Sequence, residues 1–202
     1  MVDGGSSDGT IEIARQFGAR VIESSPGRAR QLNAGALAAS GAVFYFLHAD
    51  TLPPANWWSE INRIENKQWA ACCSIRFDRQ EESYWLRLFS RLSRWDVDAF
   101  RFGDQSLFIL REHFFAVGGY QEGHVLLEGH DIVRRLRSAG VRIKVLPATV
   151  TTSARRYFVY GVVFTQLMFV IIYGLYRLGA PQVTLVGIYR WAFPNRPPYT
   201  GK

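Results

Sequence analysis

The sequence predicts an α/β fold with a mostly parallel sheet, and three observations carry that prediction. Short β-favouring apolar runs alternate with helical segments from the first residues onward, the rhythm of a sheet covered by helices. The run Val43-Phe44-Tyr45-Phe46-Leu47 is apolar at every position, as a strand buried on both faces must be. It ends on His48-Ala49-Asp50-Thr51, which delivers a carboxylate at the carboxyl end of the strand, where open α/β sheets gather their ligands.

The elements follow in order. Asp3-Gly4-Gly5-Ser6-Ser7-Asp8-Gly9-Thr10 is a polar, glycine-rich turn. A helix over residues 11–17 places Ile11, Ala14 and Phe17 on one face, with Gly18 just past its end. Residues 20–23 read as a strand, and Ser24-Ser25-Pro26-Gly27 opens an alanine-rich helix over 28–39. The central strand comes next and is stopped by Pro53-Pro54. A helix over 55–65 is expected to bury Trp58 and Ile61, followed by a strand over 69–77. The segment 83–95 carries Trp85, Leu88, Phe89, Leu92 and Trp95 at helical spacing, with Arg87, Arg91 and Arg94 elsewhere. That pattern reads as core packing or as an arginine face turned to anionic lipid. A strand over 106–110, a short helix over 112–117, a helix over 130–139 and a strand over 141–145 complete the sheet pattern.

Composition narrows the class. A chain of 202 residues that is 48% hydrophobic and 20% charged forms one domain with a real core and is not wholesale disordered. Its formal charge is +7, carried almost entirely by arginine, whose planar fork suits phosphate and carboxylate oxygens. No lysine-rich run or nucleic-acid motif accompanies that charge, so nucleic acid is not an expected partner. Cys72 and Cys73 are adjacent and stand alone, which gives neither a disulfide framework nor a zinc site and suits a reducing, cytoplasmic setting. Residues 1–5 have neither the basic start nor the apolar core of a signal peptide. Between Arg156 and Arg177, residues 157–176 carry no formal charge. Roughly 20 such residues match a bilayer-spanning or in-plane helix, with tyrosines at both ends, and also a helix buried against the domain or a dimer interface.

Several motifs in succession resemble those of the family 2 glycosyltransferases. They are Val2-Asp3-Gly4-Gly5-Ser6-Ser7-Asp8-Gly9-Thr10, Gly27-Arg28-Ala29-Arg30-Gln31-Leu32-Asn33-Ala34-Gly35 and Phe46-Leu47-His48-Ala49-Asp50-Thr51. Gly103-Asp104-Gln105, Val117-Gly118-Gly119-Tyr120, and Leu127-Glu128 through Arg135-Leu136 agree with them. The branch most similar is a bacterial one with a His-Ala-Asp metal motif and a Ser-Ala-Arg-Arg segment, here Ser153-Ala154-Arg155-Arg156.

The resemblance implies a GT-A-like (Rossmann-like) domain over residues 1–150 and a C-terminal apolar, basic segment over 151–202 that contacts membrane or a partner. It implies transfer of a sugar from a nucleoside-diphosphate sugar, with inversion, to an acceptor that the tail suggests is lipid-linked. Asp50, with His48, would hold Mn²⁺ or Mg²⁺, and Asp3, Arg28, Gln31 and Asp50 would bind the donor. Asp104 and Gln105 would line the acceptor side. The family's usual base is the aspartate of a Glu-Asp pair; here the pair is Glu128-Gly129, which leaves Glu128 or Asp131 as substitutes. The family also opens with a strand–helix unit of roughly 30 residues ahead of the Asp3 loop, so the domain is expected to be N-terminally truncated or to complete its sheet with another chain. A binding module without turnover, and a membrane-associated oligomerising protein, are the alternative functions. The expected location is cytoplasmic, peripheral to or anchored at the inner membrane.

Overall fold

The computed structural model describes residues 1–65, 69–97 and 105–194. Two parallel strands, β1 (Val2–Asp3) and β2 (Ile22–Glu23), flank α1 (Thr10–Gln16) and form a small sheet of their own. Then come α2 (Arg28–Ala38), β3 (Val43–Phe46), β4 (Thr51–Leu52), α3 (Trp57–Glu65), β5 (Trp69–Phe77), α4 (Tyr84–Leu92) and β6 (Leu107–Leu110). They are followed by α5 (Arg111–Ala116), α6 (Glu128–Ser138), β7 (Arg142–Thr152), α7 (Arg155–Tyr160), α8 (Val162–Arg177) and α9 (Gln182–Ala192).

The main sheet has the order β3-β6-β5-β7-β4 and is mixed, not mostly parallel. β6 runs antiparallel to both β3 and β5, β5 is parallel to β7, and β4 is antiparallel to β7. A strand buried on both faces has the same apolar composition in either direction, so the residue pattern fixes burial and leaves direction to the connections.

β5 separates two core layers by the period-2 rule. Ala70 joins Ile109, Phe114, Ile132 and Leu136 on one face; Ala71, Cys73 and Ile75 join Phe108, Leu86 and Val150 on the other. Burying one such side chain is worth about 1.5–3 kcal/mol, so these layers carry most of the fold's cohesion. β7 continues well beyond the expected end at 145, because its pairing with β5 skips Pro147 and Ala148. A proline has no N–H for the ladder and is tolerated where the strand bulges. Ser74 spans the bulge, its hydroxyl donating to the Ala148 carbonyl at 3.3 Å.

Three expectations about buried faces are corrected. Trp58 is 64% exposed, and α3 turns Glu60 inward instead; the Ile61 side chain lies outside what is described. Phe17 is 87% exposed, since α1 buries no residue. On α4, Leu86, Ser90 and Ser93 form the buried stripe, whereas Trp85 and Trp95 face outward. The serines are buried because they extend the β5 ladder. Ser90 Oγ donates to the Ile75 carbonyl at 2.7 Å, and Ser93 Oγ accepts from the Ile75 N–H at 2.9 Å.

The apolar tail is not one helix. Gly161, at φ 88°, separates α7 from α8, a conformation that favours glycine. Among the described residues, no helix is long and apolar enough to cross a membrane. α8 instead packs Met168 and Ile172 against Leu185, Tyr189 and Phe193, while Tyr157 and Phe169 reach the layer beneath β5.

Candidate active site

The end of β3 is pinned on both sides. The Thr51 N–H donates to the His48 carbonyl at 3.1 Å, and the Thr51 and Thr152 hydroxyls bond at 3.2 Å where β4 meets β7. The short turn between them presents Asp50, exposed, to a cavity of roughly 380 Å³. Arg28, His48, Glu128, Gly129, His130, Ser153 and Arg156 share that cavity.

Arg28 is the first residue of α2, and Glu128 the first of α6. Arg28 Nε lies 2.8 Å from Glu128 Oε1, and its guanidinium also meets the His48 ring. Burial, with Arg28 adding to it and Asp50 opposing, pushes the His48 imidazole down to about 3, so it is neutral near pH 7. Leu127, just before Glu128, holds φ 63°, a strained backbone for a branched residue that aims Glu128 inward.

Asp131 stands one turn along α6 from Glu128 and is not in the cavity wall. Its oxygens accept from Arg134 Nη2 at 2.9 Å and Arg135 Nε at 2.7 Å. Burial alone would raise this carboxyl, but the two arginines hold it below the ordinary carboxylate range. Arg135 in turn donates to the Val117 and Gly119 carbonyls. Asn33 reaches the same turn, exchanging hydrogen bonds of 2.9 Å with the Tyr120 backbone N–H and carbonyl. Gly119 has φ 64°, and a Cβ there would lie 2.9 Å from Asn33 Oδ1, so this turn admits only glycine. The Gly118-Gly119-Tyr120 motif is thus a clasp joining α2, α5 and α6.

The remaining predicted residues fall elsewhere. Asp3 is buried and organises its own loop, accepting from the Gly5 and Ser6 N–H groups at 2.7 and 2.9 Å. The Ser6 hydroxyl also donates to Asp3 and, with these N–H bonds, holds its carboxyl below the ordinary value. Gln31 donates to the Val2 carbonyl at 3.3 Å and lines a second cavity of about 470 Å³ between β1 and β3. Gln105 is buried, donating to the Ser93 carbonyl at 2.9 Å, and lines a small cavity behind Arg28 and His48. Asp104 lies outside the described residues. The structure therefore brings Arg28, His48, Asp50 and Glu128 together and leaves Asp3, Gln31 and Asp131 out of their cavity.

The opposite wall was missed in the sequence. Leu126, Tyr157, Phe169, Ile172, Tyr173 and Tyr189 line it. Their spacing signals core packing, and nothing local distinguishes a cavity wall from a core.

Among the described residues, no cluster of three or more His, Cys, Asp or Glu side chains is placed to hold a metal ion. Asp50 and His48 give two donors, which fits a cation such as Mg²⁺ or Mn²⁺ that takes one or two protein ligands and completes its shell with phosphate oxygens and water. Asp50 is the more open donor, since Arg28 lies against both nitrogens of the His48 ring.

A carboxylate at a strand end beside a basic, cavity-lining helix start is the arrangement that the resemblance implies. The model of glycosyl transferase family 2 matches residues 1–119. This chain belongs to glycosyl transferase family 2. Its fold agrees with that membership. A mannosyltransferase from Pyrobaculum calidifontis, solved with GDP-Man and Mn²⁺, superposes at TM-score 0.64 and 18% identity over 95% of this chain and 59% of its own. Glucosyl-3-phosphoglycerate synthase from Mycobacterium tuberculosis, solved with Mg²⁺ and uridine diphosphate, gives 0.52 at 18% identity, over 89% of this chain and 68% of its own. TarS from S. aureus, with UDP-GlcNAc, gives 0.58 at 14% identity over 75% and 48%. At such identities the likeness shows a shared GT-A fold, and this family 2 chain spans only part of each relative's length. No curated protein matches the sequence.

Proposed function

We propose that this family 2 chain is a metal-dependent glycosyltransferase that moves a sugar, with inversion, from a nucleoside-diphosphate sugar to an acceptor held in the Asp50 cavity. One observation carries the reading: Asp50, at the end of β3, shares a single cavity with the guanidinium groups of Arg28 and Arg156. Asp50, with His48 beside it, would hold Mn²⁺ or Mg²⁺, and that ion would stabilise the diphosphate as it leaves. Arg28, at the N-terminus of α2, would add its own charge and the positive end of the helix dipole to the same phosphates. Glu128 orients Arg28 through their ion pair. Asp3 and Gln31 would hold the loop and helix that border the nucleotide, and Gln105, buried in the small cavity behind Arg28 and His48, would back the acceptor side, the role the family resemblance also gives to Asp104. Of the two candidate bases, Asp131 is committed to two arginines and acts by positioning α6.

Residues 1–150 would supply the donor side, and the segment 151–202, through α7, α8 and α9, most of the apolar wall, which Leu126 also joins. Fold relatives bound to GDP-Man with Mn²⁺, and to UDP with Mg²⁺, support the donor class. Val163, Leu167 and Val170 project outward along α8 at helical spacing, with Arg155 and Arg177 near its ends, which supports a peripheral, in-plane contact with the cytoplasmic face of the inner membrane. The same ridge would serve a homo-oligomer.

Calorimetric titration with UDP, GDP and their sugars, with and without Mn²⁺, tests the donor site. Saturable binding that requires the metal and is lost in Asp50→Ala is expected; binding indifferent to either would remove the metal assignment. A binding module without turnover is favoured by Gly129 and by the engagement of Glu128 with Arg28. Donor binding with no hydrolysis or transfer over prolonged incubation would select that reading.

A further inference from the structure

Glu128 reaches Arg28 because the chain enters α6 at an unusual angle, and α9 holds that entry. Leu127, the residue before α6, has φ 63°, in the left-handed region that branched residues seldom occupy. Rotation about its N–Cα bond is fixed from both sides. On the far side, the Leu127 carbonyl accepts from the Asp131 N–H at 3.0 Å, the bond that starts α6. On the near side, Gln182 clasps the preceding residue. Its Nε2 donates to the Leu126 carbonyl at 3.2 Å, and its Oε1 accepts from the Leu126 N–H at 3.0 Å. One side-chain amide thus takes both polar groups of one backbone residue, as a neighbouring antiparallel strand would.

Gln182 is the first residue of α9, and its own position is firm. One turn on, Leu185 is fully buried, and with Tyr189 and Phe193 it packs against Met168 and Ile172 of α8. Leu126 and Leu127 pack on the same cluster. Apolar packing places the loop but is non-directional, and it leaves the peptide planes free to turn. Two hydrogen bonds to one residue remove that freedom. The consequence appears at the cavity. Glu128 is buried and lies 2.8 Å from Arg28 Nε. With Leu127 relaxed to negative φ, the first turn of α6 would start in another direction and Glu128 would leave Arg28.

We propose that Gln182 is a positioning residue for the Asp50 cavity: through the Leu126 backbone it sets the entry of α6, and with it the Glu128–Arg28 pair. Gln182 does not itself line the cavity. The proposal rests on the glycosyl-transfer reading, in which Arg28 receives the donor's diphosphate. The seating of α9 is thereby coupled to the donor site.

The test reads Arg28 directly. By NMR on the isotope-labelled full chain, the Arg28 Nε–H held by Glu128 is expected to exchange slowly with water. Gln182→Ala should remove that protection, as Glu128→Gln does. Gln182→Glu keeps an acceptor for the Leu126 N–H but loses the donor, and should retain part of the protection. Metal-dependent titration with UDP- and GDP-sugars on the same preparations gives the second readout. Gln182→Ala should weaken the donor by about fivefold, the worth of one net hydrogen bond. In a Glu128→Gln background it should add nothing, because both changes act through one pair. No protection of Arg28 in the wild type, unchanged protection in Gln182→Ala, or losses that add in full in the double variant would each overturn the proposal. If the alanine variant does not fold, the glutamate variant decides on the same signal; if neither folds, Gln182 is a folding element and the proposal falls. Loss of protection in a chain that binds no nucleotide sugar would overturn the glycosyl-transfer reading and leave the clasp standing.

Discussion

Glu128 and Asp131 lie on the first turn of one helix and have different work. Glu128 faces the cavity beside Arg28, while Asp131 faces inward between Arg134 and Arg135. Removing one partner of a buried pair strands the other, so Asp131→Asn should destabilise the fold by about 3 kcal/mol, read from the urea midpoint. Because the folded carboxyl titrates below its ordinary value, its stabilisation is complete above the unfolded pKa of about 3.9 and is lost as pH falls through the lower folded one. The difference between wild type and Asp131→Asn should therefore be full at pH 7 and shrink below about pH 4. The two cysteines make a second residue-scale case. Cys72 and Cys73 are both buried, and burial pushes the Cys73 thiol up to about 12. Native protein should leave both unmodified by a thiol reagent at pH 8, with reaction only on unfolding; rapid native labelling would contradict this packing.

At the scale of elements, the sheet is held by side chains that its residue pattern does not advertise. Ser90 and Ser93 reach from α4 to the Ile75 backbone, and Ser74 spans the Pro147 bulge. Ser93→Ala leaves the buried Ile75 N–H without its acceptor and should cost about 1–3 kcal/mol, measurable as a lower denaturant midpoint. Phe108→Ala, which empties a fully buried site stacked on Tyr45, should cost about 3–5 kcal/mol by the same measurement. Both serines were legible as residues but not as ladder partners, since a serine in an amphipathic helix ordinarily faces water. Leu86 was overlooked for a similar reason. The flanking tryptophans dominate the apolar pattern of this helix, yet they cover its outer surface.

At the scale of the molecule, the outward ridge on α8 makes a membrane prediction. Co-sedimentation with vesicles containing anionic lipid should be appreciable, and Leu167→Glu with Val170→Glu should reduce it without lowering the melting temperature, because both residues are more than half exposed. Unchanged sedimentation would assign the ridge to another partner.

The order of helices and strands from α1 to β7, β4 apart, the family and the four residues that meet at the cavity were written locally: alternation sets burial, glycines set turns, and the His48-Ala49-Asp50 stop marks a strand end. Strand direction was not, because a doubly buried strand looks alike both ways, and β6 runs antiparallel only through its connections. Nor was the fate of residues 157–176, where a single glycine at φ 88° turns one apolar run into two helices folded against the sheet. The aromatic wall facing Asp50 exists only because α7, α8 and α9 fold back over the end of β3. Which side of an apolar side chain meets a cavity depends on neighbours more than 100 residues away in sequence, and only the tertiary structure decides it.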